Sequence, residues 1–291
     1  MDLLKTLQAI NACHGPAGDE SEVSEVLEKL AMPFVDECYQ DTLGNLIAHA
    51  TDLSATPVRF KNGVRGVICL SEAVDPKDMT LDDLYIDIGA HDADEAKAMI
   101  KIGDTAVYDT PTYAVGDRIV SPYMDNRISC MVLLMAMETL QNSENDLYFV
   151  FTSQEEVGLR GAKTAAYSID PDYGIAVDVT VSADELGTKH AGSSKLGSGA
   201  AIKVMDASVI CHPQMVSKLE TLAKERGIDA QMDIIKAGGT DAGSIHISKM
   251  GVLTGGISIP CRYIHSPQEM VDRGDVEACA RLVAAFAESD L

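Results

Sequence analysis

Tryptophan is absent from the 291 residues, aromatic side chains make up only 5%, and basic residues are scarce, 23 against 45 acidic ones. The resulting formal charge of -22 excludes clustered Lys and Arg as a dominant surface feature, and with it nucleic acid or an anionic membrane as the expected partner. Cationic metal ions stay compatible with such a surface. Long apolar runs are also missing, none approaching the ~18 residues needed to cross a bilayer. The opening MDLLKTLQAINACHG has no basic stretch followed by an apolar core and a small-residue cleavage site, so no secretory signal is expected. No Cys-x-x-Cys pair occurs, and seven cysteines leave at least one unpaired in any disulfide framework. Reduced, mostly buried thiols and a cytoplasmic location are the expectation. What the chain does have is 46% apolar residues against 23% charged, enough core to offset chain entropy, which excludes a disordered polymer.

Apolar residues at Leu3, Leu4, Leu7 and Ile10, then at Val23, Val26, Leu27 and Leu30 after the Gly15-Pro16 break, predict two opening helices. Residues 34–39 and 43–49 read as strands around Asp41 and Gly44. Between about 54 and 120 come short β-like runs (64–70, 84–88, 105–108, 118–120) and one helix, 92–100, the pattern of a small inserted β-rich domain. Beyond Asp125 the pattern alternates. Helices are predicted at 126–140, 159–167, 212–225 and 276–287, and strands at 147–152, 173–177, 201–205, 231–235 and 252–259. Alternation of this kind predicts an α/β layer structure with helices on both faces of a mixed sheet.

In open α/β sheets, ligands collect outside the carboxyl ends of strands. Asp125 before a helix, Glu155-Glu156 after LYFVFTSQ, Asp178 after YGIAV and His265 after ISIPCRYI meet or approach that condition. Carboxylates with one imidazole suit Zn²⁺, Mn²⁺ or Co²⁺, and a carboxylate such as Asp125 has two oxygens with which to bridge a metal pair. The adjacent glutamates suit a division of labour in which one binds metal and the other moves a proton. A glycosidase reading of that pair is weaker, because two carboxyls flanking a glycosidic bond must stand roughly 5 Å or more apart. Each residue also has a plain structural reading: Asp125 as a helix N-cap, the glutamates as a solvated helix start, Asp178 as a turn residue, His265 as a core or surface histidine. GGTDAGS at 238–244 outlines a phosphate loop but has Ser244 where the lysine belongs, and LGSGAAI at 196–202 has Ile202 in place of a dinucleotide loop's third glycine. Cys13-His14 and Cys211-His212 have no partner at ligand spacing.

DTLGNLIAH at 41–49, LYIDIGA at 84–90, YMDNR at 123–127, TSQEEVGLRGAKTAA at 152–166, AVDVT at 176–180, AGGTDAGSIHIS at 237–248 and SIPCRYIHSPQEM at 258–270 together form a pattern. In these the sequence resembles the glutamyl and deblocking aminopeptidase family of co-catalytic metallopeptidases, which includes the tetrahedral aminopeptidases and members labelled endoglucanase. The resemblance implies a mixed-sheet α/β/α sandwich, residues 1–53 and 121–291, interrupted by a small β-rich oligomerisation domain at 54–120. It implies Asp125 as bridging ligand, Glu155 as general base, Glu156 and His265 as further ligands of one metal, and Asp178 as a ligand of the other. Zn or Co, with Mn as a third option, would be present at one or two per subunit. Short peptides would be the substrates, and self-association would run from a dimer to a twelve-subunit hollow tetrahedron.

One departure stands out. The family follows GNLIA with a second strand ending in an A-H-M-D-like motif whose histidine shares a metal with the position matched by Asp178. Here LIAHATDLSATPVRFKNGVRGV at 46–67 runs directly into the insert. His49 has His-x-x-Asp spacing, His91 lies in the insert and His246 is a third candidate, none matching the motif. Asp125, Glu156 and His265, with Glu155 beside them, remain as a three-ligand site. The expected function is a metal-dependent aminopeptidase of reduced activity, or else a catalytically dead homologue serving as a structural or regulatory subunit.

Overall fold

The computed structural model describes residues 1–17, 19–34, 53, 55–71, 80, 83–188 and 192–291. The strand expected at 43–49, with His49, and most of that at 34–39 lie outside the described residues; Phe34 itself ends a 3-10 turn, Met32–Phe34. Helices α1 (Leu3–Asn11) and α2 (Ser21–Ala31) bury the residues of the predicted stripes, Leu3, Leu7 and Ile10 on the first and Val23, Leu27 and Ala31 on the second. Asp2 caps α1 by accepting from the Lys5 N–H at 3.2 Å. The buried Arg127 guanidinium donates to the Ile10 carbonyl at 3.0 Å, binding the end of α1 to the site-bearing part of the chain.

A four-stranded antiparallel sheet follows, from β1 (Thr56–Phe60), β2 (Arg65–Leu70), β3 (Leu84–Asp87) and, after α3 (Ala93–Met99), β4 (Ala106–Tyr108), in the order β3-β2-β1-β4. Thr56, Val58 and Phe60 of β1 are buried while Pro57 between them is exposed, the alternation of a strand with one covered face. Asp92 starts α3 by accepting from the Asp94 and Glu95 N–H groups.

The larger sheet has seven strands. It takes in β5 (Tyr113–Val115) and β6 (Arg118–Ser121), and then, beyond α4 (Met124–Thr139) and α5 (Arg160–Ile169), β7 (Tyr173–Val181) and β8 (Ala200–Met205). After α6 (Pro213–Glu225) come β9 (Ala230–Ile234), the short α7 (Ala242–Ile245), β10 (Leu253–Arg262), β11 (Glu269–Asp272) and α8 (Arg273–Ala287). The order is β5-β6-β11-β10-β8-β9, with β7 running parallel to β10 along nearly its whole length. Parallel β7/β10 and β8/β9 pairs beside antiparallel ones make the sheet mixed, as expected. The run predicted at 118–120 thus pairs within this sheet and not with the four-stranded one.

Ile257 and Ile259 of β10 pack in one core with Ile128, Met131 and Leu134 of α4 and Val276 and Leu282 of α8, all without exposure. Each such side chain contributes about 1.5–3 kcal/mol by leaving water. The core also holds an ion pair, Lys203 Nζ to Asp233 Oδ2 at 2.5 Å, with Thr180 donating to Asp233. Gly256 is required beside it, since a Cβ there would stand 2.8 Å from Lys203 Cβ.

Two sequence expectations are corrected. Residues 147–152 join no ladder: Phe149 and Phe151 pack on the core while Leu147, Tyr148 and Val150 are exposed. The alternation is strand-like, but a ladder needs a neighbouring strand, and β7 pairs among the described residues only with β10. Asp178 does not follow its strand. The strand runs on through Val181, so Asp178 is buried inside β7 opposite Ser258.

Candidate metal centre and active site

Asp125 stands where β6 turns into α4. Tyr123 before it has φ 61, and Asp125 and Asn126 keep non-helical angles, so regular helix begins only after them. The Asp125–Asn126 peptide is cis. No side-chain cap bond is made at the start of this span, so Asp125 is not acting as a helix cap. Glu155 and Glu156 occupy a tight turn ahead of α5, in which the Gly158 and Leu159 N–H groups close on the Glu155 carbonyl at 3.0 and 2.9 Å. Gln154, just before them, has φ 57. The Glu156 side chain keeps only 23% of its exposure, which rules out a solvated helix start. His265 lies in the turn between β10 and β11, with φ 65. Left-handed angles at residues other than glycine cost roughly 1–2 kcal/mol each. Their recurrence at Tyr123, Gln154 and His265 means tertiary packing holds all three turns in shapes they would not choose alone.

These turns converge. His265 Nε2 is 3.0 Å from Asp125 Oδ2 and 3.5 Å from Glu156 Oε2, and one ligand atom from each of the three residues lies within 4.8 Å of the others. Glu269, only 2% exposed at the start of β11, spans two of them: Oε2 accepts the Asp125 N–H at 3.0 Å and Oε1 the His265 N–H at 2.7 Å. Both carboxylate oxygens are thus spent on setting the distance between Asp125 and His265. Asp178 lies outside the converged triad, with Oδ1 accepting its neighbour's N–H, from Val179, at 2.8 Å. Asp241, just before α7, accepts from Thr152 Oγ1 at 2.6 Å, and its other oxygen is buried without a partner.

Burial of so many carboxyls drives their proton affinities up. Glu155 is raised to about 9, by burial first and then by the charges of Asp241, Asp125 and Glu156. Burial and Asp125 raise Glu269 to about 8, and burial lifts Asp241 to about 6. Asp178 is raised by burial and by Asp125, Glu155 and Asp241, which puts it in the same electrostatic group. His265 moves up to about 11 because Asp125 and Glu156 accept hydrogen bonds from it. Negative charge here has one imidazolium to oppose it among these groups, and a divalent cation would relieve the rest. Two carboxylate oxygens and an imidazole nitrogen, with an outer carboxylate orienting the turns that bear them, fit a Zn²⁺, Co²⁺ or Mn²⁺ site by donor type.

The sequence reading missed Glu269 and Asp241. Glu269 sits in the quoted SIPCRYIHSPQEM, but a side chain that binds backbone amides has no signature of its own. Asp241 sits in GGTDAGS, which the sequence reading weighed only as a phosphate loop, and its carboxylate accepts from Thr152.

Residues 42–282 match the model of the M42 glutamyl aminopeptidase family. The chain belongs to that family. M42 members are metallopeptidases, and Asp125, Glu156 and His265 form a group that could hold a metal ion. It is 39% identical to a putative aminopeptidase of Acetivibrio thermocellus, an alignment of 322 positions covering 97% of each chain. That alignment is longer than the 291-residue chain, so part of the relative faces gaps in this one. Among solved structures, an aminopeptidase of the archaeon Desulfurococcus kamchatkensis superposes with a TM-score of 0.92 at 34% identity, covering 99% of this chain and 95% of that one. The TET1 peptidase of Pyrococcus horikoshii, described as assembling into a tetrahedron or a large octahedral shell, gives 0.86 at 26% identity over 99% of this chain and 100% of that one. These M42 likenesses extend over the mixed-sheet α/β fold as a whole.

Proposed function

We propose that this M42 member is a metal-dependent aminopeptidase that hydrolyses the N-terminal peptide bond of short peptides, with one or two ions of Zn or Co, or of Mn, per subunit. The observation that carries the reading is the convergence of Asp125, Glu156 and His265, with the half-buried Glu155 in the same electrostatic group. Asp125, Glu156 and His265 would hold one ion, and Asp178, with Asp125 as the shared ligand, would serve a second. A bound divalent metal supplies Lewis acidity, polarising the scissile carbonyl and easing removal of a proton from water.

Glu155 is the general base. Its raised proton affinity suits it to accept a proton from the attacking water and return it to the leaving amine, and a cation bound beside it would lower that affinity toward the range where such a base works best. Glu269 holds the backbones of Asp125 and His265 still while this happens.

Self-association, from a dimer up to a dodecamer, belongs to the same reading. It would use the inserted domain, 54–120, where the four-stranded sheet leaves Val67 and Tyr85 at 40% and 54% exposure. A cytoplasmic setting agrees with the six described cysteines, all free. Among the described residues no helix is long and apolar enough to cross a membrane.

The absent histidine strand supports the second reading, an impaired or dead homologue in a structural or regulatory role. Chelated protein reconstituted with Zn²⁺, Co²⁺ or Mn²⁺ and assayed on aminoacyl chromogenic substrates separates the two, with Glu155→Gln as blank. Turnover above the blank supports the aminopeptidase. Folded wild-type protein silent with every metal overturns it.

A further inference from the structure

The stretch that delivers Glu155 and Glu156 is held in an unusual way. Residues 147–152 have no ladder and no backbone hydrogen bond to another described residue. Behind the glutamates the chain is clamped to the start of α5: the Gly161 N–H donates to the Ser153 carbonyl at 2.9 Å, and Arg160 donates to the Gln154 carbonyl at 3.2 Å and to Gln154 Oε1 at 3.0 Å. The fit at Gly161 is so close that a Cβ there would lie 2.4 Å from Ser153 O. Ahead of the glutamates, among the described residues, one polar contact does the holding, Thr152 Oγ1 donating to Asp241 Oδ2 at 2.6 Å. Asp241 Oδ1 is buried and unpartnered. The described residues leave that oxygen without a partner, and the Asp241 charge is felt at both Glu155 and Asp178.

We infer that Asp241 is a positioning residue for Glu155: through Thr152 its carboxylate anchors the segment that presents the general base, taking the place of pairing with a neighbouring strand. Losing one hydrogen bond to a charged group shifts a local opening equilibrium about ten- to hundredfold, enough to let one short segment fray. The effect on turnover rests on the aminopeptidase reading; the tie itself does not.

The test compares full-length Thr152→Val, Asp241→Ala and Asp241→Asn with wild type, each at measured metal content. Amide hydrogen exchange across 147–158 is expected to quicken about ten- to hundredfold in Thr152→Val and Asp241→Ala, and kcat to fall over the same range with KM within about twofold. Asp241→Asn keeps an acceptor for Thr152 and is expected to recover most of the exchange protection and part of kcat. Unchanged exchange in Thr152→Val overturns the tie, as does an Asn variant no better protected than Ala. A loss of kcat that only tracks folded fraction or metal content overturns the positioning role. If Asp241→Ala does not fold, the nearly isosteric Thr152→Val carries the test. Wild-type protein without turnover in any metal overturns the aminopeptidase reading, and the exchange measurements still decide the tie.

Discussion

Removing the Glu269 carboxylate should loosen two metal ligands at once without touching either. Its two oxygens accept the backbone N–H groups of Asp125 and His265 at 3.0 and 2.7 Å in a site where the side chain is 2% exposed. In Glu269→Ala both donors, each part-buried, lose their partner, at about 1–2 kcal/mol each. Part of that is returned, because burial and the Asp125 charge already disfavour ionised Glu269, whose pKa stands at about 8. The net loss of unfolding free energy should be about 1–3 kcal/mol. Glu269→Gln keeps one acceptor but turns an NH₂ toward the second N–H, so about half that loss is expected. Freed of this carboxylate, Asp125 and His265 should bind metal about 10- to 100-fold more weakly, the usual result of deleting an outer-shell partner. Urea unfolding of the chelated protein and competitive metal titration measure the two effects separately. A folded Glu269→Ala protein with wild-type metal affinity and a loss under about 0.5 kcal/mol would refute the reasoning.

Glu155→Gln should bind metal nearly as wild type does while losing turnover; wild-type turnover at equal metal loading removes Glu155 from its role. Lys203→Met should cost about 3–5 kcal/mol by stranding the Asp233 charge in the core, and adding Asp233→Leu should restore much of it, as denaturant midpoints would reveal; a single variant within about 0.5 kcal/mol of wild type contradicts this. For pH, the folded-state values of Asp125 and Asp241 at about 6, Glu269 at about 8 and Glu155 at about 9 all lie above the unfolded range near 4. The native state then binds more protons than the unfolded one from about pH 4 to 9, so the chelated protein should lose stability as pH rises through that window. His265, raised to about 11, acts in the same sense above pH ~6.5, while Asp184, held down to about 2 by Arg262, acts only below about pH 4. Bound metal should flatten the slope. Chelated protein growing more stable from pH 5 to 8 would reverse the sign.

Much of the fold was legible because its signals are local. The helical stripes of α1, α2, α6 and α8 and the apolar runs of β7 to β10 depend on residues a few positions apart, and they formed within a few residues of the predicted bounds. Short strands were harder. β1, β5 and β11 were not foreseen, since three to five residues carry too little periodicity, and β5 and β11 exist because β6 lies between them. The converse holds at 147–152, where good strand propensity met no partner.

The sequence by itself determined the chemistry on offer: an acidic chain with Asp125, Glu155, Glu156, Asp178 and His265 in motifs that resemble one peptidase family, and an interruption where that family has a histidine strand. Only the tertiary structure decided which of these meet. It brought Asp125, Glu156 and His265 together, left Asp178 inside its strand beside them, and enlisted Glu269 and Asp241, whose value is a hydrogen bond to something more than 80 residues away. Local pattern cannot encode such pairings, because the backbone amide or hydroxyl that each carboxylate serves becomes its neighbour only once the sheet and helices have packed.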